Sequence, residues 1–251
     1  FAGDSSITFS SLTPGLIKQY EDQLLSEGRS HNTLSTYMRM LRSICHQAEN
    51  EGIPFTSNVD ELFNFVFTGY EPTTKRAIAP ALFRRLLNLN LDKKPTLSFS
   101  RDIFLLSFYL RGIPFVDLAY LRKTDVRHNT IYYYRHKTHQ QLSVHIESYA
   151  AQILQKYKNK DASSPYLLPI LSLTGEDGYK QYRSALRLYN QHLHRLSKMM
   201  RLSTPLTSYV ARHSWATTAK DEGVAISVIS ESLGHTSEKV THVYLASFDN
   251  N

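Results

Sequence analysis

The chain has 251 residues, 41% hydrophobic and 20% charged, with a formal net charge of +7 and one cysteine. That length predicts one large domain or two unequal ones, and no apolar run nears the roughly 18 residues of a bilayer crossing, which predicts a soluble protein without membrane partners. The lone Cys45 excludes an internal disulfide and any multi-cysteine metal site; its neighbours Leu41, Ile44 and Ala48 predict a core position.

Residues 11–72 read as helical. "TPGLIKQYEDQLLSEG" sets a proline at a helix start and a glycine at its end. "SHNTLSTYMRMLRSICHQAENEG" repeats Leu34, Tyr37, Leu41, Ile44, Cys45 and Ala48 at spacings of three and four, which predicts a buried stripe. Arg39, Arg42 and His46 share another face, either an ordinary solvated face or a track for backbone phosphates. "VDELFNFVF" predicts a third short helix. Gly, Pro and Thr then break the periodicity over residues 68–80, the expected linker.

Helical patterns resume in "PALFRRLLNL" and "SRDIFLLSFYLRG". "TIYYYRH" and "QQLSVHI" are rich in aromatic and β-branched residues around the polar turn "KTHQ", which predicts a hairpin. Four more helical segments follow, "YAAQILQKYKN", "GYKQYRSALRLYNQHLHRLSKMM", "SYVARHSWATTAKDEG" and "AISVISESLG". The expected fold class is mainly α with a small antiparallel β-sheet: a helical domain over 1–72 and an α+β domain over 73–251. Residues 1–71 hold four Lys/Arg against nine Asp/Glu, and the remainder twenty-five against thirteen. A basic second domain predicts a polyanion partner, nucleic acid before membrane surface. The chain opens on Phe1 and not Met, which predicts a fragment of a longer protein.

Metal catalysis finds little support. The close histidine pairs, His136 with His139 and His192 with His194, have no acidic or thiol partner at ligand spacing, and no glycine-rich phosphate loop is present. Cations, histidines and one tyrosine accumulate instead. Arg212 and His213 lie in an otherwise apolar helix, so Arg212 needs an anion: a carboxylate in a buried salt bridge, or a phosphate held bidentately. Lys137 stands in the hairpin turn. Gly234 predicts a left-handed helix stop, with Thr236 or Ser237 capping the next helix, so His235 falls between two helix ends. Tyr244 shares an apolar stripe with Val240, Val243 and Phe248, which by periodicity alone makes it a core residue.

Taken jointly, these pieces resemble the tyrosine recombinase, or phage integrase, family. "YRHKTHQQL" matches its hairpin lysine with Lys137, "SYVARHSWAT" its second-arginine box with Arg212, and "SLGHTSEKVTHVYLAS" its final element with His235 and Tyr244. The first domain is similar to the family's helical core-binding domain, and the motif style to integrases of Bacteroides-type mobile elements. There are two departures: Tyr209 stands where the His-x-x-Arg box has histidine, and in "FYLRGIPFVDLAYL" Pro114 takes the place of the first arginine, with Asp117 at the acidic position. Arg111 lies three residues earlier and reaches the same place only if the backbone stays helical; Gly112 and Pro114 favour a turn.

The resemblance implies a site-specific recombinase in which Tyr244 attacks a DNA phosphodiester, giving a 3′-phosphotyrosyl link without metal or other cofactor. Arg212 and Arg111 would stabilise the phosphorus transition state, Tyr209 would donate to a phosphate oxygen, His235 would act as base with His213 as support, and Lys137 as general acid. Arg39, Arg42, His46 and His213 would touch DNA. The implied partners are double-stranded DNA, further copies of the chain in a synaptic tetramer, with a monomer off DNA, and DNA-bending accessory proteins, in a bacterial cytoplasm at the nucleoid. A type IB topoisomerase or a DNA-binding protein without catalysis stands as the alternative.

Overall fold

Residues 7–71 and 77–246 are described in a computed structural model, and contacts divide the chain into two units, 1–73 and 74–251. In the first unit α1 (Pro14–Ser26) begins as its sequence dictates. Pro14 occupies the first turn, where its missing N–H costs nothing, and the Thr13 hydroxyl accepts from Leu16 N at 3.2 Å. α2 (His31–Asn50) is capped by Ser30 and α3 (Val59–Leu62) by Asn58. Their apolar faces enclose Ile17, Leu24, Leu34, Met38, Cys45 and Leu62, so Cys45 is core.

Two expectations change here. The buried stripe of α2 runs through Leu34, Met38, Cys45 and Ala48, while Tyr37 and Ile44 are exposed. The buried set recurs at three-, four- and seven-residue steps, one narrow face, and Tyr37 and Ile44 flank it. The third helix covers four residues and not the whole of "VDELFNFVF". The Phe67 N–H goes instead to the buried carboxylate of Glu21, at 2.6 Å, a partner outside any helix.

The second unit is built around α5 (Pro95–Tyr109), which buries Leu97, Ile103, Phe104, Leu105 and Leu106 around most of its circumference, as a central helix must. It packs against α4 (Pro80–Leu87), α7 (Ser148–Tyr157), α8 (Gly175–Met199) and α9 (Val210–Asp221). A three-stranded antiparallel sheet, ordered β1 (Val126–Arg127), β2 (Thr130–Tyr134), β3 (Gln141–His145), adds one edge strand to the expected hairpin. Ile131 and Tyr133 pair with Val144 and Leu142 on the buried face, and Tyr132 and Tyr134 point outward.

Two left-handed turns set the site. After α5 the chain turns through Arg111 (φ +56°) and Gly112 (φ +72°) before Pro114 opens α6 (Phe115–Tyr120), so the helix does not continue through Arg111. α10 (Ile226–Leu233) stops at Gly234 (φ +62°), and α11 (Glu238–Ala246) starts after Ser237. Residues 72–76 of the linker, Phe248 and the Val243 side chain lie outside the described residues; Val240 is exposed. Among the described residues no helix is long and apolar enough to cross a membrane.

Candidate active site

The C-terminal carbonyls of α10 have no partner within their own helix. Leu233 O is taken by two guanidiniums: Arg135 Nη1 at 2.8 Å, from the end of β2, and Arg212 Nη2, from the first turn of α9. Arg212 also donates to Gly112 O at 3.0 Å, and a Cβ on Gly112 would lie 2.9 Å from Arg212 Cα. Only glycine fits that approach, and only glycine takes its left-handed backbone without strain. Gly234 is constrained likewise, since a Cβ there would meet Arg135 Cγ at 2.9 Å.

Both guanidiniums are buried, yet only one of them pairs with a carboxylate. Asp117 on α6 lies 3.3 Å from Arg135 Nε and accepts from His136 N at 2.9 Å. Burial pushes the Asp117 carboxyl up, against the His136 N–H and the charges of Arg135 and Arg212. Burial, with the charge of Arg135 behind it, lowers the Arg212 pKa to about 10, so Arg212 stays cationic at neutral pH. Of the two anions open to Arg212, the carboxylate goes to Arg135: Arg212 makes no ion pair among the described residues. The pocket therefore holds one more positive than negative charge, which suits a phosphodiester.

His235 sits at the junction after Gly234. Its Nε2 lies 3.4 Å from Arg212 Nη2 and its Nδ1 2.8 Å from Thr241 Oγ1. A guanidinium only donates, so Nε2 accepts and the ring proton rests on Nδ1, directed at the buried Thr241 hydroxyl. Thr241 thus orients the imidazole and leaves its basic nitrogen in the site.

Tyr244 packs its ring against the apolar cluster of Ala216, Ile229, Leu233 and Leu245. Its other face stacks on His213 (4.6 Å between centroids, 17° between planes), and His235 meets it edge-on at 5.5 Å. Burial raises the phenol pKa; the charge of Arg212, that of Arg135, and a hydrogen bond from Arg212 oppose the rise. Core packing and proximity to the cations therefore both describe Tyr244.

The remaining residues lie further out. Lys137 is exposed on the hairpin turn, which the Thr138 hydroxyl ties to Gly234 O at 3.3 Å. Tyr209, exposed at the start of α9, has its ring 6.2 Å from that of His213. Arg111 is exposed and makes no hydrogen bond or ion pair among the described residues. In the first unit Arg42 (3.0 Å from Nε) and His46 (3.1 Å from Nε2) both engage Asp60 Oδ1, while Arg39 Nε donates to Ser35 O at 3.3 Å. Two of the three stripe side chains are thus engaged by one acidic side chain. No three His, Cys, Asp or Glu side chains form a metal-binding group among the described residues.

Sequence reasoning missed Arg135 and Thr241. Arg135 had a signal: it follows Ile131 and Tyr133 at two-residue spacing, so strand alternation turns it inward.

The phage integrase family model matches residues 85–251, and the phage integrase SAM-like domain model matches residues 1–59. No curated protein matches significantly. Among solved structures, a lambda integrase dimer bound to a COC′ core site is 15% identical with a TM-score of 0.73, covering 99% of this chain and 85% of that one. The Tn1549 transposon integrase in complex with a circular intermediate DNA is 16% identical with a TM-score of 0.69, covering 96% and 84%. XerA recombinase is 16% identical with a TM-score of 0.51, covering 95% and 80%.

Proposed function

Because the chain belongs to the phage integrase family of tyrosine recombinases, we propose that it cuts and rejoins DNA at specific sites through a covalent bond from Tyr244 to a 3′-phosphate. The observation that carries this reading is the placement of the Tyr244 ring against His213 and His235, with its hydroxyl beside a buried Arg212 that lacks a carboxylate. Tyr244 Oη attacks phosphorus, the P–O5′ bond breaks, and the bond energy is kept in the phosphotyrosyl link, so no nucleotide cofactor is needed.

A tyrosine with a pKa of about 10 is a poor nucleophile at neutral pH, and burial raises it further here. His235 Nε2 takes the phenolic proton as the new bond forms. Arg212 stabilises the charge on the pentacoordinate phosphorus, a preorganised interaction whose loss costs about 10²–10³ in rate. Lys137, on a turn pinned to Gly234, delivers a proton to the departing 5′-oxygen. Tyr209 and Arg111, both exposed, contact the phosphate backbone at the rim. The 5′-hydroxyl of a second strand then reverses the chemistry with a new partner.

The second unit, 74–251, is the catalytic domain, and the helical first unit holds DNA with Arg39, Arg42 and His46 on α2. Duplex DNA is the partner, and strand exchange between two sites calls for several copies of the chain, a synaptic tetramer, with DNA-bending accessory proteins at the nucleoid. An integrative element of the Bacteroides type suits the sequence style. Nicked duplexes from a randomised library, selected by covalent capture, provide the test. The unaltered chain should form an adduct and Tyr244→Phe none; equal adduct from both removes Tyr244 from the reaction.

A further inference from the structure

We propose that Arg135 is a second phosphate-contacting guanidinium of this site, held in place by Asp117 and the Leu233 carbonyl. The inference rests on Tyr244 as the nucleophile.

Position comes first. Arg135 and Arg212 donate to the same carbonyl oxygen, so their guanidinium groups lie side by side at one helix end. The charge of Arg135 also acts on the Tyr244 hydroxyl, where the phosphorus must sit. Donor capacity comes next. Nε faces Asp117 and Nη1 serves Leu233 O, while Nη2 has no hydrogen bond among the described residues. A guanidinium anchored along one edge with a nitrogen to spare can donate to a phosphate oxygen without rearranging.

A phosphodiester carries one negative charge and the pentacoordinate species two, so N–H donors beyond those of Arg212 are called for as the reaction proceeds. Arg135 and Asp117 together add no net charge, but Arg135 turns a second guanidinium edge to the oxygens where that charge grows, and Asp117 keeps two adjacent buried guanidiniums tolerable before DNA binds. Arg111 is exposed on a left-handed turn and has no such anchor. Gly234 completes the arrangement: a Cβ there would strike Arg135 Cγ at 2.9 Å. Asp117 is a positioning residue, Arg135 a catalytic one.

The test compares single-turnover adduct formation on the selected nicked duplex with a normal scissile phosphate and with a methylphosphonate, which lacks the negative charge. Arg135→Ala leaves Asp117 buried and unpaired, so the Arg135→Ala/Asp117→Asn pair is measured beside it, with Trp215 fluorescence checking the fold. The double variant should lose at least about 100-fold on the phosphate and most of that loss should vanish on the methylphosphonate. A loss under threefold overturns the proposal. An equal loss on both linkages shows a merely structural arginine and also overturns it, as does a larger loss from Arg111→Ala. If the unaltered chain captures no duplex, the nucleophile reading itself fails and this inference falls with it.

Discussion

Replacing Gly112 with alanine tests the contact that seats Arg212. Two costs combine there. A non-glycine residue in the left-handed region costs roughly 1 kcal/mol, and Gly112 has φ +72°. The new Cβ would also lie 2.9 Å from Arg212 Cα, a backbone atom with no rotamer to escape through, and such overpacking costs about 1–3 kcal/mol. Gly223 provides the control, with φ +78° and nothing within 4 Å of its would-be Cβ. Gly112→Ala should therefore destabilise the second unit by about 2–4 kcal/mol and Gly223→Ala by about 1. Urea unfolding followed by Trp215 emission reads this unit, since Trp215 is the chain's one tryptophan and packs beside Tyr244's cluster. At a temperature where both variants are folded, a shift of Arg212 should slow adduct formation by about 10²-fold in Gly112→Ala and leave Gly223→Ala close to the unaltered chain. Matching stabilities and matching rates for the two variants would refute the reasoning.

Other outcomes concern charge. Asp60 engages Arg42 and His46, and the Arg42 hydrogen bond holds its carboxyl below the usual carboxylate range. Asp60→Asn should release the Arg42 charge and the His46 ring and tighten duplex DNA binding several-fold in a low-salt titration; unchanged affinity would remove α2 from the DNA-binding face. Burial raises the phenol pKa of Tyr133, Tyr189 and Tyr244. Unfolded phenols titrate at about 10, so above that pH the unfolded state sheds protons that the folded state keeps, and stability falls as pH rises. The urea midpoint should drop as pH rises through and above that value; a midpoint indifferent to alkali contradicts the burial. DNA affinity should also fall by roughly 10³-fold or more between 50 and 200 mM salt if six or more phosphates are contacted.

Much of this was legible in sequence because local rules and tertiary demands agree. Pro14 and Gly234 mark helix ends where the structure has them, and the alternation of Ile131 and Tyr133 gives the hairpin its buried face. Failures arise where a tertiary partner decides. Tyr37 and Ile44 fit an apolar period, yet the packing of α2 centres on Met38 and leaves them outside. Glu21 diverts the chain at Phe67, a contact 46 residues away in sequence that no local pattern carries. Arg135 is the instructive case: strand parity turned it inward, but only the fold brings Asp117 and the Leu233 carbonyl to meet it.

The identity of the residue that carries DNA tests the central claim most directly. The adduct formed on the nicked duplex is digested with protease and nuclease, and the nucleotide-bearing peptide is sequenced by mass spectrometry. One modified residue is expected, Tyr244, joined to a 3′-phosphate, with a free 5′-hydroxyl on the released strand. Modification of any other residue, or a link through a 5′-phosphate, would contradict it.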